Sequence, residues 1–415
     1  MKYTRIKGTK DFLPEETARI EHLKKTARGL FSRYGYQEIR TPVLEPTELF
    51  VHSTGATSEV VEKQMYTFED FGKRSITLRP EGTPGVIRAI IENRLSLPQK
   101  LFYIETMFRQ ERPQKGRYRE FNQIGLEVIG VGSPIVDAEV VAVAAAYVAA
   151  VGVTGSSIEI NSIGCRECRP RFREALLGFV KPELEKFCPL CRARAERNPL
   201  RVYDCKNEQC EQLLDRAPRP VDHLCGSCRD HYDRVKHNLG FYKTAFAENP
   251  KLVRGLDYYT RTVFEIKGEA LGAQDTILGG GRYDYLMQEM GGADAPAIGF
   301  ALGLERLVLS VDEAALVTGA PMSFFVVALG ESTLMHAVPL QQRLVGKGLI
   351  GIIGEPGKPL KRQLKEADRF GVDHAIIIGD DEVKDNCCTV RDMKQGTQQR
   401  VKFGDFDRFL DQLAT

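Results

Sequence analysis

The sequence lacks the apolar segments that membrane and secreted proteins carry. Its longest apolar run, residues 140–153, is interrupted by Gly152 and is too short to span a bilayer. The N-terminal stretch MKYTRIKGTKDFLPEE contains no apolar segment of the kind that directs secretion. The net charge is only +2, so a polyanion would have to bind to local basic patches, because the chain has no strong overall field. We therefore expect a cytoplasmic chain with no membrane partner.

Two common nucleotide-binding motifs are also missing. The chain has no GxxxxGK[ST] phosphate-binding loop and no GxGxxG motif behind a predicted strand. If it binds a nucleotide, the nucleotide must therefore lie on a sheet. What the chain does have is size, because 415 residues, of which 42% are hydrophobic and 27% charged, predict a globular protein with two or three domains.

Cysteine is concentrated in one part of the chain. Eight of the ten cysteines lie in the Arg-rich segment 164–249, which we interpret as an inserted, mainly helical domain. Three of their four pairs have the CxxC spacing that places two thiolates on one metal ion. The candidate zinc ligands are Cys165, Cys168, Cys188, Cys191, Cys205, Cys210, Cys225 and Cys228. Structural zinc and a set of reduced thiols in a small domain explain the pattern equally well.

Two strands of alternating character flank a basic loop in residues 101–130. One face of each strand is apolar and predicts contact with a core. The opposite faces carry Tyr103, Glu105, Arg109, Phe121, Gln123 and Glu127. Such polar side chains are costly to bury without partners, so this face predicts the floor of a substrate site. The alternative is an antiparallel hairpin with one solvated face.

The segments before this hairpin predict its supports. Apolar residues recur at helical spacing from Glu15 to Tyr34, and a short edge strand follows and ends before Pro42. This helix packs either on its own core or against a second copy of the chain. A strand at 75–79 then turns into a helix with Thr83 as its N-cap. Glu81 either complements the dipole of that helix or anchors an ammonium group.

The later segments add two arginines and a run of glycines. Arg254 is flanked by apolar residues in the sequence, so we expect its side chain to face a charged group. Arg306 lies in the first turns of a helix, where a cation opposes the helix dipole and so suggests a ligand anion. Residues 279–281 are glycines, which allow a ligand to approach the backbone or form a tight turn.

Residues 321–415 alternate between predicted strands and helices, which indicates a separate small α/β domain. Its second predicted helix, residues 358–370, carries five basic residues on one face: Lys358, Lys361, Arg362, Lys365 and Arg369. A solvated face is the usual explanation for such a pattern. We favour nucleic acid, because the other charges of this domain are mostly acidic.

The charged residues do not include an obvious nucleophile. Arginines beside the carboxylates Glu81, Glu105, Glu111 and Glu127 match a zwitterionic substrate together with a triphosphate. The arginines would hold phosphates, whereas the carboxylates would take an ammonium group and a divalent ion.

At this point the chain resembles the class II aminoacyl-tRNA synthetases, and among them the histidyl-tRNA synthetase family, over nearly its whole length. The segment ending at Pro42 resembles the first class II motif, which builds a homodimer interface in the family. FRQE at 108–111, continuing to Glu127, resembles the second motif, and GLER at 303–306 resembles the third. RGLDYY at 254–259 resembles a histidine-specific motif, and together with LRPEGT at 78–83 it makes the resemblance specific to this family.

The resemblance implies a ligase that activates L-histidine with ATP and Mg²⁺ to histidyl-adenylate and pyrophosphate, and then transfers histidine to the 3′ end of tRNA(His). The implied catalytic residues are Arg109 and Arg254. The implied ATP-binding residues are Arg109, Glu111, Arg117, Phe121 and Arg306. The implied histidine-binding residues are Glu81, Thr83, Arg109, Gln123, Glu127, Arg254, Tyr258, Tyr259 and Tyr283. Position and charge alone suggest tRNA contacts for Lys115, Arg119, Lys361, Arg362 and Lys365.

The expected fold is therefore α+β, with the class II antiparallel sheet and flanking helices. We expect catalytic segments at residues 1–163 and 250–320, the inserted domain at 164–249, and an anticodon-binding domain at 321–415. Any zinc in the insert would be structural, because the catalytic motifs do not require it. The rival function is a non-catalytic, histidine-sensing regulatory paralogue of the same fold, which typically lacks the anticodon-binding domain.

Overall fold

The computed structural model describes residues 3–55, 58–114, 116–269, 275–312 and 321–413, and it divides into the compact units 1–318 and 319–415. The strands of the first unit are β1 Gln37–Glu38, β2 Leu44–Pro46, β3 Tyr66–Glu69, β4 Ser75–Leu78, β5 Gln99–Phe108, β6 Glu120–Ile129, β7 Ser156–Ser162, β8 Ala247–Glu248, β9 Thr260–Gly268, β10 Thr276–Arg282 and β11 Ala297–Gly303. Its helices are α1 Pro14–Arg33, α2 Thr47–Thr54, α3 Glu59–Lys63, α4 Thr83–Glu92, α5 Pro134–Ala150, α6 Cys168–Val180, α7 Pro189–Arg197, α8 Glu208–Leu214, α9 Gly226–Phe241, α10 Leu286–Glu289 and α11 Leu304–Val308.

An eight-stranded sheet forms the centre of the first unit, in the order β1-β5-β6-β11-β10-β9-β7-β8. Its six central strands are antiparallel to their neighbours, and the short edge strands β1 and β8 pair in parallel. This mainly antiparallel sheet agrees with the one that the family resemblance implies. A smaller antiparallel sheet, β2-β4-β3, holds the chain between α1 and α4.

The central hairpin is confirmed in position and in facing. β5 and β6 pair so that Phe102 is opposite Leu126 and Tyr103 is opposite Gly125. Phe102 and Leu126 are buried in the core formed with α1, α5 and α9. The other face of the hairpin therefore points away from those helices, toward the second apolar cluster and the cavity described below.

The opening helix packs on its own core, since Ile20, Leu23, Ala27 and Phe31 are all buried there. The predicted capping role of Thr83 is wrong. Helix α4 begins at Thr83 itself and its N-cap is Gly82, so the Thr83 hydroxyl is available for another contact. Helices α6, α7, α8 and α9 lie between β7 and β8 in the chain. A short 3-10 helix connects each of these helices to the next.

The second unit contains the strands β12 Ser323–Ala328, β13 Ile350–Ile353, β14 His374–Ile378, β15 Cys387–Asp392 and β16 Gln398–Lys402. Its helices are α12 Leu334–Gly346, α13 Leu360–Phe370, α14 Asp380–Lys384 and α15 Phe406–Leu413. β13, β12 and β14 are parallel, and β15 and β16 continue the sheet in antiparallel fashion. The predicted strand–helix alternation is confirmed. Across the described parts of both units, no helix has the length and apolar character needed to cross a membrane.

Candidate active site

One cavity of about 420 Å³ lies on the open face of the large sheet. Strands β6, β9, β10 and β11 contribute its floor, and the loop before α4 and the segment before β9 contribute its walls. Every residue predicted to bind ATP or histidine lines it: Glu81, Thr83, Arg109, Glu111, Arg117, Phe121, Gln123, Glu127, Arg254, Tyr258, Tyr259, Tyr283 and Arg306. The structure thus brings together segments that are far apart in sequence.

The inner end of the cavity holds two buried carboxyl groups. Glu81 accepts hydrogen bonds from the hydroxyls of Thr54 at 2.6 Å and Tyr258 at 3.0 Å. Glu127 accepts from the Thr83 hydroxyl at 2.6 Å and from the Tyr283 hydroxyl. Alternation along β6 aims Glu127 into the cavity, and Gly299 of the neighbouring strand leaves the space for its carboxyl group, which a Cβ at that position would overlap.

Burial controls the ionisation of both carboxyl groups. Removal from water raises the pKa of Glu127 to about 8, although the hydrogen bonds from Thr83 and Tyr283 oppose the shift. Burial also raises the pKa of Glu81, against its hydrogen bond from Thr54 and the charge of Arg109. The two carboxyls repel each other when both are ionised. This end of the cavity is therefore prepared to receive a cation or a hydrogen-bond donor.

The floor next to these carboxyls is polar but internally bonded. The Tyr103 hydroxyl donates to the Gln123 side-chain oxygen at 3.0 Å. Burial raises the pKa of Tyr259 to about 12, although the charge of Arg254 opposes that shift. The hydroxyls of Tyr103 and Tyr259 therefore keep their protons at neutral pH and can serve as uncharged hydrogen-bonding partners.

The outer end of the cavity is basic. The Arg109 Nε donates to the Pro80 carbonyl at 2.8 Å, and its guanidinium lies 5.3 Å from the centre of the Phe121 ring. The Glu111 carboxylate lies between two arginines, 3.9 Å from Arg109 Nη1 and 3.5 Å from Arg117 Nη1. Among the side chains of Arg109, Glu111 and Arg117, that of Arg117 is the most exposed to solvent.

Arg306 extends this basic region from the start of α11. Its Nη1 donates to the Thr276 carbonyl at 3.0 Å. Burial lowers its pKa, and repulsion from Arg117 lowers it further. Two cations close enough to repel each other favour an anionic ligand between or beside them.

The Arg254 side chain packs on β10, the strand that contains the three glycines, and pairs with Glu265 of β9. Gly279 makes this possible, because a Cβ there would collide with the Arg254 guanidinium. The space left by this glycine is thus filled by Arg254. The Arg254 Nε is buried and finds no acceptor among the residues that the structure describes. Such an unsatisfied donor marks a place where a ligand atom can bind.

Several predicted residues lie elsewhere. Glu105 does not line the cavity, because it is buried against Arg79 Nη1 at 2.5 Å and the Thr41 amide at 2.8 Å. Arg119 packs beside Gly8, and its Nε donates to the Glu111 carbonyl at 3.4 Å. Lys115 lies outside the described residues. Lys361, Arg362 and Lys365 are exposed on α13 of the second unit.

Sequence reasoning missed one basic residue of the cavity, Arg201, which comes from the insert. Its guanidinium lies beside Gly255, and its Nε is 3.3 Å from Asp204. The insert contains many arginines, and no spacing rule distinguishes Arg201 from the others. Glu265, the partner of Arg254, was also missed, because its strand is known to face Arg254 only once the sheet is assembled.

The eight clustered cysteines form two separate groups. Cys165, Cys168, Cys225 and Cys228 converge in one group, and Cys188, Cys191, Cys205 and Cys210 converge in the other. In each group the sulfur atoms lie within 4.8 Å of one another. Each group therefore combines two of the pairs found in the sequence.

Comparison with known proteins gives a consistent result. The family profile described as histidyl-tRNA synthetase matches residues 8–167 and 200–307, and the profile described as anticodon binding domain matches residues 323–413. The chain is 43% identical to the histidine–tRNA ligase of Halothermothrix orenii over 98% of its length and 99% of that protein. It is 44% identical to the histidine–tRNA ligase of Geobacter sulfurreducens over 96% of its length and 97% of that protein.

A solved structure agrees with these relatives. The crystal structure of apo histidyl-tRNA synthetase from S. aureus superposes with a TM-score of 0.81 at 35% sequence identity. The similarity covers 98% of this chain and 99% of that chain, so it includes both units.

Proposed function

This chain belongs to the histidyl-tRNA synthetase family and is a histidine–tRNA ligase, and we propose that the cavity on its large sheet is the site where histidine reacts with ATP. The observation that carries this assignment is the division of one cavity into an inner end with two buried carboxyls and an outer end with several arginines. A zwitterionic amino acid and a triphosphate match these two ends.

Histidine binds at the inner end. Glu81 receives the ammonium group, with Thr83 and Gln123 beside it, since a buried carboxyl with a raised pKa gains most from a cation. Glu127 and its partner Tyr283 read the imidazole ring, together with Tyr258 and Tyr259. An imidazole needs both a donor and an acceptor, and a carboxyl group flanked by tyrosine hydroxyls supplies both.

ATP binds at the outer end with its phosphates among Arg109, Arg117 and Arg306. The Phe121 ring stacks on the adenine, and Glu111 orients Arg109 and Arg117 from between them. ATP arrives as its magnesium complex. The Glu111 carboxylate is an oxygen donor of the kind that Mg²⁺ prefers, and it lies where the phosphates bind.

Activation needs positioning and charge rather than a protein nucleophile. The histidine carboxylate attacks the α-phosphate, and pyrophosphate leaves. Arg109 lies between the two ends and bridges the carboxylate and the α-phosphate. Arg254, whose buried Nε has no acceptor among the residues that the structure describes, stabilises the charge that develops at the α-phosphate.

The remaining partners of the chain are the tRNA and a second copy of the chain. The tRNA reaches the cavity with its 3′ end beside Arg119, and α13 of the anticodon-binding domain contacts it through Lys361, Arg362 and Lys365. The chain acts as a homodimer in the cytoplasm. A regulatory role is not supported, because the relatives named as ligases match over nearly their full length.

The decisive experiment is histidine-dependent exchange of pyrophosphate into ATP, comparing the wild type with Arg254→Ala. We expect the wild type to catalyse exchange and Arg254→Ala to slow it by roughly a hundredfold or more, because a charge partner of the transition state is lost. Lys251→Ala is the matched control. Lys251 lies three residues earlier and pairs with Asp215 outside the cavity, so its removal should leave exchange unchanged.

Folded wild-type protein that shows no exchange with histidine would contradict the proposed reaction. An Arg254→Ala variant that exchanges at the wild-type rate would remove Arg254 from the mechanism. Circular dichroism of each variant verifies that the fold is retained.

A further inference from the structure

The two cysteine groups differ in where they lie along the insert. The proximal cluster, Cys165, Cys168, Cys225 and Cys228, joins the end of β7 to the start of α9. The distal cluster, Cys188, Cys191, Cys205 and Cys210, joins α7 to α8. Residues 168–199, which carry three of these cysteines, lie between the two stretches that the family profile matches. The other five lie within the matched stretches, but none of the eight belongs to the segments 78–83, 108–127, 254–259 and 303–306 that resemble the catalytic motifs.

The sulfur–sulfur distances fit a metal ion and not disulfide bonds. Cys165 Sγ lies 3.7 Å from Cys168 Sγ and 3.9 Å from Cys225 Sγ, and Cys188 Sγ lies 3.7 Å from Cys205 Sγ. A tetrahedral zinc ion with bonds of about 2.3 Å to sulfur separates its ligands by about 3.8 Å. A disulfide requires about 2.05 Å, and all of these cysteines are free.

Backbone amides point at several of the sulfur atoms. The Cys225 amide donates to Cys168 Sγ at 3.1 Å, and the Cys188 amide donates to Cys210 Sγ at 3.3 Å. The Asn207 amide donates to Cys205 Sγ at 3.4 Å. Such amides stabilise thiolates, which are the form that binds zinc, and they orient metal ligands from the surrounding shell.

Gly164 shows that the backbone is adapted to the proximal cluster. Its φ is +71°, and an added Cβ would lie 3.0 Å from Cys168 Sγ. Its carbonyl also accepts the Arg261 amide of β9 at 2.8 Å, which fastens the cluster to the large sheet. Because α9 packs on the main core, this cluster ties together the two places where the insert leaves and rejoins the catalytic fold.

The distal cluster encloses the segment that reaches the active site. Between Cys191 and Cys205 the chain runs through the end of α7 and a 3-10 turn that carries Arg201. In the same segment the Asn198 side chain donates to Asp257 at 2.7 Å, within the RGLDYY segment 254–259. The four thiols thus lie at both ends of this segment, and its Arg201 lines the cavity.

We propose that the insert binds two zinc ions, one in each cluster, and that the distal ion fixes the segment that presents Arg201 to the active-site cavity. The proximal ion secures the base of the insert. Arg201 acts from this segment as an additional cation beside Arg254, and the distal cysteines are positioning residues for it.

Metal analysis of the purified full-length chain tests the stoichiometry. We expect about two zinc ions per chain, and about one in either Cys165→Ser/Cys168→Ser or Cys188→Ser/Cys191→Ser. Cys387→Ala/Cys388→Ala, which changes the two cysteines outside the insert, should keep both ions. A wild-type content near zero or near one after expression with sufficient zinc would overturn the proposal.

Cobalt replacement decides the same question without a variant, in case a serine variant fails to fold. The spectrum of tetrahedral Co²⁺–thiolate should grow up to two equivalents per chain in the wild type. Saturation at one equivalent would overturn the two-site assignment.

A substitution at the distal site adds a matched pair. Cys210→His, which keeps a zinc ligand at the distal site, should retain the second ion, whereas Cys210→Ser should lose it.

The link to Arg201 is tested by combining variants in the exchange assay. Arg201→Gln and Cys188→Ser/Cys191→Ser should each lower kcat/KM by about tenfold, and the combined variant should be no slower than either, because both remove the same interaction. Effects that multiply to about a hundredfold would overturn the link.

The kinetic comparison rests on the proposed site, whereas the metal count does not. A chain that holds two zinc ions but shows no exchange would contradict the proposed reaction and leave the metal sites standing. A chain that exchanges but holds no zinc would do the reverse.

Discussion

At the residue scale, Glu127 has the most unusual environment in the cavity. Its pKa of about 8 means that burial keeps it protonated at neutral pH without ligand. An imidazole N–H or a nearby ammonium group restores the preference for the ionised form. Ligand binding is therefore coupled to loss of a proton from the inner end of the cavity.

We predict that histidine binding at pH 7 releases protons, and that Glu127→Gln reduces the release. The sign follows from the pKa: the free protein holds the proton up to about pH 8, and the complex gives it up at lower pH. Titration calorimetry in buffers of different ionisation enthalpy measures the number released.

Glu120→Gln, an exposed residue on the same strand, is the matched control and should release as many protons as the wild type. Equal proton release by wild type and Glu127→Gln would show that Glu127 does not change its ionisation when histidine binds.

The residues that sequence reasoning misplaced share a physical cause. Glu105 lies on the same face of the hairpin as Glu127 but on the other strand, β5, where Arg79 neutralises it. Thr83 has a typical capping residue type, yet its hydroxyl bonds to Glu127, which is 44 positions away. In both cases the partner is distant in sequence, so local patterns could not identify it.

At the element scale, a buried ionic network ties helices to the sheet behind the cavity. Asp137 of α5 accepts hydrogen bonds from Arg282 of β10 and from the Thr262 hydroxyl at 2.6 Å, and it lies 2.8 Å from His231 of α9. Asp137 and Arg282 are fully buried. Burial by itself raises the pKa of Asp137, but the charge of Arg282 and the hydrogen bonds from His231 and Arg282 together outweigh burial and hold the pKa at about 2.

We predict that Asp137→Asn lowers the free energy of unfolding by about 3–5 kcal/mol, because the buried Arg282 loses the charge of Asp137 and keeps only that of Asp284. Urea denaturation measures the loss. In the wild type, the contribution of this carboxylate is present above its ordinary pKa of 3.8 and is lost as the pH falls toward 2. The exposed Asp230→Asn on α9 is the control, and an equal loss in both variants would contradict a special role for the network.

Helix α13 of the second unit carries the predicted tRNA contacts. Lys361, Arg362 and Lys365 are exposed, whereas Lys358 of the preceding loop is already paired with Glu355 at 2.5 Å and Glu366 at 3.2 Å. The basic face is therefore narrower than the sequence pattern indicates.

We predict that Lys361→Gln/Arg362→Gln/Lys365→Gln weakens tRNA binding and reduces its salt dependence. Each lost phosphate contact should lower the slope of log K against log salt by about 1. Filter binding over a range of salt concentrations measures this slope. Lys394→Gln/Lys402→Gln in the same unit should leave it unchanged, and an unchanged slope in the triple variant would exclude this face.

At the scale of the whole molecule, exposed apolar residues mark the surface next to the first class II motif. Val43, Leu44, Phe68 and Phe71 are at least 40% exposed, on or beside the small sheet. The apolar face of α1, in contrast, is buried in the core of its own chain. The proposed dimer therefore uses the small sheet more than the buried face of the helix.

We predict that Leu44→Asp/Phe68→Asp converts a dimer into a monomer, because two charges would be buried at the interface. Light scattering should give twice the chain mass of 46.5 kDa for the wild type and the single mass for the variant. Leu190→Asp, an exposed leucine of the insert, should remain a dimer. A variant that keeps the dimer mass would remove this sheet from the interface.

The sequence by itself determined the elements of this protein and the residue types of its site. Hydrophobic periodicity predicted the hairpin, the opening helix and the alternation of residues 321–415, because these patterns reflect which faces are buried locally. Short motifs indicated Arg109, Arg254 and Arg306 through resemblance. Only the tertiary structure decided the partners of these residues, namely Glu265 for Arg254 and Arg282 for Asp137. It also decided how the cysteine pairs combine into two clusters and that Arg201 of the insert lines the cavity. These depend on distances between segments that are remote in sequence, which no local pattern encodes.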